Sequence, residues 1–344
     1  SQAVPGEASS PLAGETAPVP DSIPVAAARP ANVREIAARI QIFLDQQKFG
    51  PGKIDGDPGE FTSKALARYL KAKGLPADDL ITAARQLPLE SISPIYTVYT
   101  IREEDTKRVG PVPREPSEQA KLKQMPYPSF LKFLEDRFHC SPALLAEINP
   151  GVDFNRLAPG DSVRVPNVEP FRIEAIKETA KLPPRPAFKD RVIVIDTRER
   201  MLDLLEGDRL LASFPITPGS ANLPAPAGKW RILGIATLPW FRYDKGVLEH
   251  GVRTSNFYNI PAGPSSPVGV VWIGLNKPGI GIHGTNNPQT IGRASSHGCI
   301  RMANWDVIRL AGMITQGMTV YIDQKPALPP VAPAEVAKVS QTDR

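Results

Sequence analysis

From residue 188 to residue 323 the chain breaks into short apolar runs parted by glycine and aspartate clusters. Arg191–Ile195, Met201–Leu205 and Leu210–Ile216 are the first three. Runs this short suit strands better than helices, which need ten or more residues. Many short strands with glycine and proline turns predict a β-sandwich-like, mainly β domain. Helical spacing returns only between Asn304 and Thr315, where Val307, Ile308, Leu310, Ala311 and Ile314 recur, and a last strand follows at Thr319–Ile322. A chain of 344 residues has room for two or three domains.

Two smaller units precede this one, which makes the whole a multidomain α+β chain. In residues 33–88, Val33, Ile36, Ala37, Ile40, Phe43 and Leu44 recur at helical spacing. The helix should stop near Lys48, because Gly50, Pro51 and Gly52 follow. A glycine loop, Ile54 to Gly59, leads to a second helix with Ala65, Leu66, Tyr69 and Leu70 inward and Thr62 as a plausible N-cap. Residues 96–168 begin with the alternating strand Tyr96–Thr100 and contain an amphipathic helix from Ser129 to Phe138. Ser141-Pro142 opens another helix, Asn149-Pro150-Gly151 ends it, and Val163–Pro166 is a short strand. Residues 1–31 and 324–344 are rich in proline and alanine and lack aromatics, so they read as a disordered tether and a disordered tail.

Composition narrows the classes further. No apolar stretch approaches the ~20 residues that cross a bilayer. The net charge is +5, with Lys and Arg spread along the chain, and no basic helix marks a nucleic-acid binder. Ser1 is followed by no charged-then-apolar leader, so the chain is either cytosolic and trimmed or a mature form whose secretory signal has been removed. Of the two cysteines, Cys140 lies in an apolar helical segment and reads as a buried small hydrophobe, not as half of a disulfide.

The other cysteine carries the chemistry. Ile282-His283-Gly284-Thr285-Asn286 and Ser295-Ser296-His297-Gly298-Cys299-Ile300-Arg301-Met302 lie close in sequence. A thiol near its free pKa of ~8.5 is mostly protonated at neutral pH, and a nearby imidazole can take its proton. His297 is two residues from Cys299, where neighbouring backbone restrains its ring. His283 comes from a separate segment and approaches freely, so it is assigned as the base, with His297 supporting. Ser296 and Gly284, in the same two motifs, are further supporting candidates. Gly298 permits a sharp turn that aims the N–H groups of Gly298 and Cys299 at a developing oxyanion. Arg301 suits a substrate carboxylate or a structural ion pair beneath the loop. Zinc is disfavoured, since Cys140 is remote and no Cys-x-x-Cys exists; no metal or cofactor is expected.

These motifs, with Val194-Ile195-Asp196, Pro224–Trp230 and Pro267-Val268-Gly269, resemble the L,D-transpeptidase catalytic domain, also called YkuD. Residues 33–88 resemble a peptidoglycan-binding domain through Ile40-Gln41, Leu44, Phe49-Gly50, Ile54-Asp55-Gly56, Gly59, Thr62 and Ala65-Leu66. Residues 96–168 are similar to a LysM module, a βααβ fold that binds N-acetylglucosamine glycans, but residues 102–129 intervene where a short turn is usual. The resemblance implies that Cys299 attacks the L,D bond of a peptidoglycan tetrapeptide stem and expels D-Ala. The thioester then passes to an amine: a second stem gives a cross-link, an outer-membrane lipoprotein lysine gives an anchor. Water as acceptor would make the protein an L,D-carboxypeptidase or endopeptidase, and a degenerate site would leave a non-catalytic wall-binding protein. The resemblance also implies an extracytoplasmic, periplasmic location, acylation of Cys299 by carbapenems, and a donor-site place for Tyr258.

Overall fold

The computed structural model describes residues 31–76, 82, 84–219, 223–250, 252–293 and 298–324. The expected tether and tail therefore lie outside the described residues, apart from Ala31 and Gln324. So do Ser296 and His297.

Helices α1 (Ala31–Gln46) and α2 (Glu60–Lys73) form the first unit. α1 stops two residues before Lys48, which takes a left-handed φ of 64°. α2 begins earlier than its sequence suggests: Gly59 is the N-cap, and Thr62 sits inside the helix. The hydroxyl of Thr62 accepts from Gln41 Nε2 at 3.1 Å instead of capping. The buried Gln41 amide also accepts from the N–H groups of Asp55 and Gly56 and so holds the glycine loop against α1.

The second unit runs β1 (Tyr96–Thr100), α3 (Glu103–Thr106), α4 (Pro116–Gln119), α5 (Phe130–Arg137), α6 (Pro142–Ile148) and β2 (Ser162–Pro166). β1 and β2 pair antiparallel, Tyr96 opposite Pro166. Ser129 and Ser141 cap α5 and α6, accepting from Lys132 N–H and Leu144 N–H. Residues 102–129 hold α3 and α4 and dock on the third unit, where Met125 N–H donates to the Ala262 carbonyl.

The third unit is mainly β. Its strands are β3 (Arg191–Asp196), β4 (Met201–Glu206), β5 (Arg209–Pro215), β6 (Gly228–Thr237), β7 (Phe241–Asp244), β8 (Phe257–Ile260), β9 (Val271–Leu275), β10 (Gly281–His283), β11 (Ile300–Arg301) and β12 (Thr319–Ile322). Helix α7 (Lys245–His250) joins β7 to β8, and α8 (Asn304–Ala311) precedes β12. Eight strands form one ladder in the order β11-β10-β9-β6-β12-β3-β4-β5. The expected sandwich takes the form of a single curled sheet that turns at β6. Residues 228–231 of β6 pair with β12, and residues 232–237 pair with β9 across a register shift between Ile232 and Gly234. A bulge at such a place bends and twists a strand, which curls the sheet.

The first unit covers the outer edge of this sheet. The N–H of Gly50 donates to the Ser213 carbonyl at 2.7 Å, and Ser213 N–H donates to the Lys48 carbonyl at 3.0 Å. Residues 48–50 thus occupy hydrogen-bonding groups that β5 would otherwise expose. Ion pairs Arg68–Asp203 and Arg200–Glu60 flank this contact. One apolar core joins Phe43, Leu44 and Leu70 to Phe214, Trp305 and Ile193. Beneath it the buried carboxylate of Asp45 accepts from both Arg309 nitrogens and from His139 Nδ1. Burial opposes its ionisation, but the Arg309 charge prevails and holds it below the ordinary carboxylate range.

Candidate active site

β10 and β11 run parallel, with Ile282 opposite Ile300 and His283 opposite Arg301. One step back along that register, Cys299 comes level with Gly281. Alternate residues of a strand share a face, so His283, Arg301, Cys299 and Gly281 all lie on one face. β9 adds Trp272, which is directly opposite His283. The indole stacks on the imidazole, with ring centroids 5.4 Å apart and planes 18° apart.

The ring of His283 is oriented by its own chain. Nδ1 lies 2.6 Å from the carbonyl of Gly284, so Nδ1–H is the donor and Nε2 keeps its lone pair. His283 is 5% exposed, and burial, aided by the nearby Arg301 charge, pulls its pKa down to about 4. The imidazole is therefore neutral at pH 7 and able to accept a proton.

Cys299 is half-buried, with its thiol pointing to the Gly279 carbonyl at 3.4 Å. Burial raises its pKa, while the Gly281 N–H and the Arg301 charge oppose that rise. Gly298 has a φ of +93°, and a Cβ there would stand 3.3 Å from Ile280 Cδ1. That position needs glycine for its backbone, since a side chain would be strained at this φ. The motif loop is anchored behind the site: Arg301 and Thr217 exchange both backbone hydrogen bonds at 2.9 Å, and Met302 N–H donates to the His283 carbonyl.

A groove of about 640 Å³ reaches this face at Trp272 and Gly279. Its far wall is the β7–β8 hairpin with Trp240, Phe241, Arg242 and Arg253. Tyr258, assigned from the sequence to the donor site, lies on β8 opposite Tyr243 and is 38% exposed. The hairpin residues that line the groove are its neighbours. Trp272 and Gly281 were missed by the sequence reading. A Cβ on Gly281 would come within 2.7 Å of the Trp272 ring, so the bare glycine lets the indole lie over the strand. Only the β9–β10 register pairs Trp272 with His283, although the Gly-x-His spacing before the motif was a visible hint.

Neither Cys140 nor Cys299 is part of a disulfide. Among the described residues no cluster of three or more His, Cys, Asp or Glu side chains could hold a metal ion. No described helix is long and apolar enough to cross a membrane.

The family model of the L,D-transpeptidase catalytic domain, YkuD, matches residues 190–322. A Bacillus licheniformis protein bearing the name L,D-transpeptidase YkuD is 31% identical over 185 residues, covering 54% of this chain and 88% of that protein. Its Bacillus subtilis namesake is 29% identical over 187 residues, covering 54% and 89%. The solved structure of an L,D-transpeptidase from Mycobacterium smegmatis overlaps 39% of this chain and 59% of its own, at 16% identity and a TM-score of 0.32. That last likeness is too low to add weight to the sequence matches. The chain belongs to the L,D-transpeptidase family, and it is an enzyme of that class.

Proposed function

We propose that the protein is a cysteine acyltransferase of peptidoglycan stems, with Cys299 as nucleophile and His283 as base and acid. The observation that supports this most is the β10–β11 register, by which Cys299, His283 and Arg301 share one face; a groove comes up to the adjoining Trp272 and Gly279, and His283 Nε2 has no hydrogen bond among the described residues. The resting pair is a thiol and a neutral imidazole, since burial pushes the two pKa values apart. The proton therefore moves as the sulfur attacks, not before.

In the first step Sγ bonds to the carbonyl carbon of the L,D peptide bond, and the thiol proton passes to His283 Nε2. The N–H groups of Gly298 and Cys299 receive the oxyanion. Collapse breaks the C–N bond, and the departing amine of D-Ala takes the proton from His283. In the second step an acceptor amine attacks the thioester, His283 removes its proton, and the thiol is restored. The Arg301 guanidinium opposes protonation of His283 and favours negative charge on the sulfur. It also suits a stem carboxylate. His297 and Ser296 remain supporting candidates in the motif loop, and Tyr258, on β8 and outside the groove lining, remains a candidate for the donor site.

The acceptor is a second stem, giving a cross-link, or a lipoprotein lysine, giving an anchor. Hydrolysis by water is the competing outcome, and a non-catalytic wall-binding role is the reading from another class. The first two units, by their resemblance to peptidoglycan-binding and LysM modules, would hold the enzyme to the wall outside the cytoplasmic membrane, in the periplasm. Incubation with tetrapeptide muropeptides and mass analysis separates these. A dimer lacking one D-Ala is expected, and Cys299→Ala should abolish it. A shortened monomer alone would make the enzyme a hydrolase, and full turnover by Cys299→Ala would overturn the mechanism.

A further inference from the structure

Asn304, the first residue of α8, is 1% exposed and stands where three segments meet. Its Oδ1 accepts from Val270 N–H at 3.2 Å. It also fills the space beside two glycines: a Cβ on Gly269 or on Gly284 would collide with that oxygen. Gly284 is the residue whose carbonyl holds His283 Nδ1. The amide of Asn304 thus braces the backbone that aims the imidazole.

Asn304 is itself held from outside the catalytic unit. Its Nδ2 donates to Asp136 Oδ2 at 3.2 Å, and the Tyr127 hydroxyl donates to the same oxygen at 2.7 Å. Asp136 lies on α5 and Tyr127 just before it, both in the second unit and both buried. The Tyr127 ring is fixed edge-on against Phe133 at 5.5 Å. Burying a carboxyl is costly, and its hydrogen bonds and the Lys132 charge offset that only in part. A residue whose task was stability alone would be better served by an apolar side chain.

We infer that Asp136, fixed by Tyr127, is a positioning residue: it orients the Asn304 amide, which in turn fixes the Val270 and Gly284 backbone that aims His283. The second unit would then act on the chemical step as well as on wall binding. This rests on the proposed role of His283.

The test compares Asp136→Leu, Asp136→Asn and Tyr127→Phe in the full chain. Each is read by kcat and KM on a tetrapeptide stem and by amide hydrogen exchange at residues 269–271 and 284. Asp136→Leu should lower kcat about ten- to hundredfold with KM little changed, because misaimed catalytic groups lose rate steeply. Exchange at Val270 should quicken in step. Asp136→Asn keeps an acceptor oxygen and should restore most of kcat. Tyr127→Phe should fall between them, and it serves alone should Asp136→Leu fail to fold. Folded Asp136→Leu, or Tyr127→Phe in its place, with unchanged kcat and unchanged exchange would overturn the inference. So would equal losses in Asp136→Asn and Asp136→Leu. If His283→Ala keeps turnover, the base assignment fails; faster Val270 exchange in Asp136→Leu would still show the brace.

Discussion

At the scale of single residues, the site depends on how burial treats two ionisable groups. A histidine with its pKa lowered to about 4 binds fewer protons folded than unfolded between pH 4 and its ordinary value of 6.5. That contribution to stability is present above pH 6.5 and is lost as pH falls towards 4. The same shift keeps the His283 imidazole, the proposed base, neutral in mild acid. The acid limb of kcat/KM, which reports the free enzyme, should therefore have its midpoint nearer pH 4 than pH 6.5. A pH–rate profile with a midpoint at or above 6.5 would contradict a buried, neutral His283. Gly281 offers a second test. Gly281→Ala would drive a methyl into the Trp272 ring and break its stack on His283. Turnover should drop about tenfold or more while the protein stays folded, as overpacking here costs about 1–3 kcal/mol. Undiminished turnover would show that the indole has no part in holding the ring.

At the scale of elements, the legible parts were those written in local pattern. The runs at 191–195, 201–205 and 210–216 are β3, β4 and β5, within a residue at their ends. Ser129 and Ser141 announce their helices because a hydroxyl before an apolar run can accept the orphan N–H groups. The Thr62 cap failed because a distant residue, Gln41, claimed its hydroxyl, and Gly59 serves as cap with its backbone alone. Helix α8 ends at Ala311 instead of Thr315, because Gly312 follows and the carbonyls of Ala311 and Ile314 are taken by Arg185. The double pairing of β6 was invisible, since nothing local tells a strand to change partners midway. The motif residues stand out in the sequence as reactive types, but Trp272 needed the β9–β10 register, and Asn304 and Asp136 their side-chain hydrogen bonds, to appear. Between elements, Arg309 of α8 balances the buried Asp45 of α1. Arg309→Met should cost about 3–5 kcal/mol in denaturant unfolding by stranding that charge. A loss below ~1 kcal/mol would mean that the carboxyl takes up a proton without penalty.

At the scale of the molecule, the two N-terminal units are more than appendages. A sequence with proline-rich ends and three apolar segments suggests beads that could be cut apart, leaving catalysis on soluble stems intact. Instead α1, α2 and the strip at residues 48–50 seal the β5 edge and share one core with the sheet. Deleting residues 1–90 should therefore expose that edge and the face of Phe214, lowering the melting temperature sharply or causing aggregation. A truncated chain that melts where the full chain does would refute this shared core. The central claim, that His283 takes the Cys299 proton as the acyl bond forms, is tested most directly by single-turnover thioester formation. Intact mass would follow acylation of Cys299 by a tetrapeptide stem in the native protein and in His283→Ala. Loss of a general base should slow that step about 10²- to 10⁴-fold. Rates agreeing within about threefold would contradict the account.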